Sequence, residues 1–245
     1  MRVDSLVVIN LSDNFGGTVP TEDREAAHGL YTKHTTRTDG GNPKAAWWIE
    51  INNTKETGDK TEFTLDIDYK IMEGGPLPSK IDAGNTGIYL IFHAKESSDP
   101  NIFGVVSLGK AEKKSLQASR LVGALEKLRI EKVRKLSLMA CNVTNTKTAA
   151  SRNFLVTICK EFESRWNSSD RPMIAGYDDY VYGSKSGKKY LDSGSNEPMT
   201  GSGHKQVWVC KSGLLTGGYK QISLEKSGWS DKEHFETNLK TTTVL

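Results

Sequence analysis

Apolar residues along this chain gather into short runs that stop abruptly on a polar or reactive side chain. Residues 5–11 read SLVVINL, 87–93 read GIYLIFH, 136–139 read LSLM and 173–177 read MIAGY. Continuous runs of that length, bounded by polar turns, predict buried strands. Between them the spacing becomes helical. Residues 21–32 open on a capping-type Thr-Glu-Asp-Arg and carry Ala26, Ala27 and Leu30. Residues 110–128 bring Leu116, Leu121, Val122, Leu125 and Leu128 into a helical spacing, and 149–166 do the same with Phe154, Leu155, Ile158, Phe162 and Trp166. Such a pattern predicts a helix in each case. Strands and helices in alternation predict an α/β fold, a mostly parallel sheet flanked by helices.

The remaining segments fill in around that frame. Residues 46–51 and 62–69 read as two strands around a polar turn at 52–60, the second with alternating apolar positions. Residues 33–42 form a polar, basic loop with Lys33, His34 and Arg37, and 73–85 a Gly- and Pro-rich connector. A polar loop is expected at 94–101. The basic run 127–135 reads as the exposed face and end of a helix. From 180 to 218 Gly, Ser and Lys dominate, with strand-like pieces at 180–182, 189–191 and 206–210. That stretch is expected to form a β-hairpin or flap on the edge of the core. The chain thus divides into one domain, 1–226, and a polar C-terminal tail, 227–245.

Composition narrows the function. A chain of 245 residues can bury a full core, and its net charge of +3 is too small to argue for nucleic acid. No apolar run is long enough for a membrane helix. The first nine residues are interrupted by Asp4 and lack a small-residue cleavage site, so no signal peptide is expected. Cys141, Cys159 and Cys210 are odd in number and widely spaced. They make neither a disulfide framework nor a metal site, which fits a reducing compartment such as the cytosol. No Gly-rich phosphate loop opens a helix after a strand, which argues against a nucleotide binder.

Two of the strands end on chemistry. The run 87–93 closes on His93, and the run from 136 passes through Ala140 to Cys141, an interval of 141 − 93 = 48 residues. That interval leaves room for a loop, a helix and a return to a neighbouring strand. Adjacent parallel strands would then present both residues at the carboxyl edge of the sheet, where ligands bind in open α/β folds. A thiol beside an imidazole is the minimal cysteine nucleophile: the thiolate attacks, and the histidine fixes its charge and later supplies a proton. Cys159 is expected in the core, and Cys210 in the flap without a role.

The strand–His and strand–small–Cys blocks together resemble the caspase-like (clan CD) cysteine peptidases, in which the histidine lies about 50 residues upstream of the cysteine. Within that group the likeness is to the autoprocessing cysteine protease domains of large bacterial toxins. The opening SLVVINLSD, the helix after it and YTKH resemble that family's first strand, helix and Lys-His loop. AGYDDYVYGSKSGKK, residues 175–189, resembles its strand leading into a flap with a basic turn. The likeness runs from about Ser5 to about Cys210. Two positions depart from the family, with Ala94 after the histidine and Ala140 before the cysteine where glycine is usual.

The resemblance implies a cysteine endopeptidase acting on protein or peptide, its own chain included, with leucine before the cut. Its oxyanion would be held by the backbone N–H groups of Cys141 and Ala94. It implies inositol hexakisphosphate as an activating polyanion, with Lys188 and Lys189 as the basic pair and Lys33, Lys205 and Arg152 as further contacts. Converging lysines suit such a ligand, since it relieves their mutual repulsion. A stand-alone bacterial effector reaching the host cytosol, or a piece of a larger toxin, would carry such a domain. The alternative is a caspase-like scaffold that has lost its chemistry and serves as a binding module for a protein or polyanion.

Overall fold

Alternation within each central strand decides how the layers stack, because successive side chains point to opposite faces of a sheet. The computed structural model describes residues 5–11, 21–36, 45–57, 64–79, 81, 86–92, 94–96, 103–105, 118–130, 133, 135–141, 143, 149–166, 172–177, 181–183, 185–186, 189–191, 205–211, 214–220 and 243–244. In chain order the first half contributes β1 (Ser5–Asn10), α1 (Thr21–Thr35), β2 (Ala45–Thr57), β3 (Thr64–Glu73), β4 (Thr86–Ile91), β5 (Ala94–Glu96) and β6 (Phe103–Val105). Then come α2 (Ala118–Lys127), β7 (Lys135–Met139), α3 (Ala149–Trp166), β8 (Met173–Tyr177), β9 (Val181–Gly183) and β10 (Lys189–Leu191). The last three are β11 (Lys205–Lys211), β12 (Leu214–Lys220) and β13 (Thr243–Val244).

Nine strands form the main sheet, in the order β13-β12-β11-β8-β7-β4-β1-β2-β3. The central pairs β8–β7, β7–β4, β4–β1 and β1–β2 are parallel, and the pairs toward both edges are antiparallel. This is the mostly parallel, helix-flanked α/β sheet that the apolar runs predict. One face of the sheet, with Val7, Ile9, Ile88, Leu90, Leu136 and Leu138, packs on Leu121 and Leu125 of α2 and on Phe154, Leu155, Ile158 and Phe162 of α3. The other face, with Leu6, Val8, Ile91, Met139 and Tyr177, packs on Ala26, Ala27 and Leu30 of α1. Both faces are covered, so the central strands read as unbroken apolar runs. Each fully buried Leu or Ile here is worth about 1.5–3 kcal/mol of transfer free energy.

The structure departs from the sequence reading at the arms. Residues 52–57, expected as a turn, continue β2 and pair with β3 from Asn53↔Asp68 to Thr57↔Thr64. Their polar side chains carry no period, but the cross-strand ladder satisfies their backbone groups, and that decides the conformation. The loop expected at 94–101 holds β5, which forms a two-stranded ribbon with β6. The flap region divides in two. β9 and β10 make a separate ribbon, whereas β11 and β12 extend the main sheet beyond β8. Within the expected tail, β13 pairs with β12 through Thr216↔Val244. The helix expected from 110 begins, among the described residues, at Ala118, and the basic run after it is broken by buried Leu128, Ile130 and Val133.

Candidate active site

The strands that lead to the two candidate residues end level with one another. β4 and β7 are neighbours and parallel, in register from Gly87↔Lys135 to Ile91↔Met139. Beyond the last ladder pair, the Phe92 N–H donates to the Met139 carbonyl at 3.2 Å, and the Leu11 N–H to the Ile91 carbonyl at 2.8 Å. β1, β4 and β7 are therefore still tied together where they reach the carboxyl rim. Cys141 stands in the turn just past β7, half-buried between the fully buried Ala140 and Val143. Two apolar anchors on either side hold the thiol in place while leaving it reachable. The ladder offset is 139 − 91 = 48, equal to the 48 residues that separate His93 from Cys141 in the sequence.

His93 and Lys188 lie outside the described residues. Ala94 opens β5, with Val105 as its ladder partner. Lys189 opens β10 opposite Gly183. A Cβ at Gly183 would come within 2.5 Å of the Ala26 Cβ and 2.9 Å of the Met139 methyl, so the ribbon lays bare backbone on α1 and on the last residue of β7. Only glycine permits that approach. Lys185, on the same ribbon's turn, reaches Glu25 of α1 at 2.8 Å, though its side chain is largely exposed and the pair adds little stability. The ribbon thus touches the strand that delivers Cys141.

The other cations are spread over the molecule. Lys205 opens β11 opposite Tyr177, at the same carboxyl rim as Cys141. Arg152 is in the first turn of α3, on the opposite layer from α1. Lys33 is exposed in the last turns of α1. Because α1 links two parallel strands it runs against them, and Lys33 lies roughly 10 Å farther along the helix than Ala26, toward the rim where the strands begin. Lys189 and Lys205 share the carboxyl rim; Lys33 is set apart from them.

A polar group at this rim was missed in the sequence. β1 ends on Asn10 and pairs it with Glu50 of β2, and both are buried. The Arg24 guanidinium donates to both Glu50 carboxylate oxygens, Nε to Oε1 at 2.9 Å and Nη2 to Oε2 at 3.0 Å. That fork binds the first turns of α1 to the sheet. The signal was faint: Asn10 and Glu50 are each a polar residue placed one position before the close of an apolar run, VVINL and WWIEI. Farther along the rim, burial first and then the neighbouring Tyr89 push the Tyr177 phenol well above its usual range, so it stays neutral. Among the described residues no group of three or more His, Cys, Asp or Glu could hold a metal ion. No helix is long and apolar enough to cross a membrane, among the same residues.

Neither the protein-family models nor the curated proteins contain a match to this chain. Ten chains of solved structures do match. One of these is a secreted C11 cysteine protease from Bacteroides thetaiotaomicron, in complex with an irreversible peptide inhibitor, at a TM-score of 0.36 and 7% sequence identity. The match covers 72% of this chain and 49% of that one, so the chain spans about half the length of the structure it matches.

Proposed function

We propose that the chain is a caspase-like (clan CD) cysteine endopeptidase, with Cys141 as nucleophile and His93 as general acid and base. The observation that supports this reading is the β4–β7 register. Its offset of 48 is the sequence interval between the two residues. Continued two residues past Ile91↔Met139, the same register would set position 93 beside position 141. His93 would take the proton of the Cys141 thiol, and the thiolate would attack the scissile carbonyl. Backbone N–H groups of Cys141 and Ala94 would hold the oxyanion, and loss of one such donor typically costs about 10²–10³ in rate. The departing amine would take the proton back from His93, and water would release the acyl group with His93 as base.

A second reading, a catalytically inactive module that binds a protein or polyanion, draws on Ala94. It opens a strand where the family it resembles has a glycine. A thiol-reactive peptide probe with leucine at its reactive end separates the two. The peptidase reading expects labelling at Cys141, abolished by His93→Ala; a chain that labels nowhere supports the module.

The resemblance further supports autoprocessing, a bacterial toxin or effector setting in a reducing host cytosol, and activation by inositol hexakisphosphate. Lys188 and Lys189 would grip the polyanion, with Lys205 nearby at the rim and Lys33 and Arg152 as outer candidates. The ribbon that carries Lys189 lies against Met139, so ordering it would bear on the end of β7. With inositol hexakisphosphate at 100 times its Kd, the folded state gains about 2.7 kcal/mol. The melting temperature should then rise by roughly 5–10 °C, with Lys188→Ala/Lys189→Ala lowering the rise. A flat titration would remove the activator and leave the peptidase untouched.

A further inference from the structure

Folding brings together two cysteines that the sequence holds 210 − 159 = 51 residues apart. Cys159 sits in the middle of α3 and Cys210 near the end of β11, both buried in the larger core cluster. Their thiols share a hydrogen bond. The Cys210 N–H also donates to the Pro172 carbonyl at 2.9 Å, which fixes this end of β11 beside the start of β8. Neither thiol has a part in the proposed chemistry, and neither cysteine is in a disulfide.

We propose that Cys159 and Cys210 are a latent disulfide, closed by two-electron oxidation, that ties the middle of α3 to β11. A low-molecular-weight disulfide such as oxidised glutathione is a sufficient oxidant. One cysteine thiolate attacks a glutathione sulfur, breaks that S–S bond and releases one glutathione as thiol. The second thiolate attacks the mixed disulfide at the cysteine sulfur and releases the other glutathione. The chain loses two electrons and two protons, and both appear in the two glutathione thiols. Burial, followed by the Cys159 hydrogen bond, pushes the Cys210 thiol well above its ordinary range. Since the thiolate is the reactive form, the finished fold closes the bond slowly, and closure belongs to the time when the core is still open. The segment between the two cysteines carries β8, the β9–β10 ribbon and most of β11, so the bond would anchor both ends of the part that includes the ribbon.

The full chain is refolded from urea in a reduced and oxidised glutathione buffer, free thiols are alkylated, and the peptides are mapped. The expected product joins the α3 and β11 peptides and leaves Cys141 alkylated. It melts roughly 8–16 °C above the reduced chain, as a loop of this length implies. Reductant reverses the rise, and Cys210→Ala abolishes it. Alkylation of both Cys159 and Cys210, pairing of either with Cys141, or an oxidised chain that melts no higher than the reduced one would each overturn the proposal.

Discussion

Cys141→Ala is expected to lower the turnover of a leucine-containing peptide by about 10⁴-fold or more, the scale on which catalytic nucleophiles act. The substitution removes one sulfur at a half-buried turn, so the melting temperature should move little. His93→Ala should fall to the same floor, and the double variant should be no worse than either single one, since the proposed dyad would act as a unit. Non-additivity is the informative part. A dyad whose members work through a common transition state has one free energy to lose, whereas two independent structural residues would lose two. Turnover by Cys141→Ala at more than a tenth of the wild-type rate would end the peptidase reading. Single variants whose losses multiplied would leave Cys141 important but dissociate it from His93.

The fold was legible in the sequence where burial on both faces made strands continuous. Residues 173–177 and 149–166 are the structure's β8 and α3 as read. It was illegible where backbone pairing alone fixes the conformation. Asn52 to Thr57 have no apolar period, yet the ladder with β3 makes them a strand. Position along the chain also hid contacts that only topology creates. Cys159 and Cys210 look unrelated until β11 inserts beside β8 and turns its buried face toward α3. The same limit applied to the basic residues. In the sequence Lys33 and Lys189 both stand in polar stretches and only the resemblance ranks them; the direction in which α1 runs separates them in space. For the candidate site, Cys141 was readable because the end of an apolar run has a fixed meaning in a parallel sheet: it marks the carboxyl rim. Asn10 and Glu50 escape that rule, because Leu11 and Ile51 continue their apolar runs by one residue.

Glu50 supplies the second large effect. Its carboxylate side chain is 2% exposed, while that of Arg24 is 44% exposed. Arg24→Leu therefore leaves a charge in the middle of β2, opposite the end of β1, that water barely reaches, and breaking such a pair costs about 3–5 kcal/mol when both partners are buried. The half-exposed guanidinium tempers this through solvent screening, and a loss of about 2–4 kcal/mol is expected in urea unfolding. The double variant Arg24→Leu/Glu50→Leu should recover most of it, since two apolar side chains leave no buried charge unpaired and can pack between α1 and the sheet. If the single variant cost less than about 0.5 kcal/mol, the fork would be no more than a surface pair. If the double variant were as unstable as the single one, Glu50 would owe its burial to other partners at the rim, with Asn10, its ladder neighbour, the first to test. Stability and turnover then separate two roles for this rim. A double variant that regains its unfolding midpoint and keeps its turnover makes the fork a fastening for α1. One that regains the midpoint and loses turnover places Glu50 in the support of the site itself.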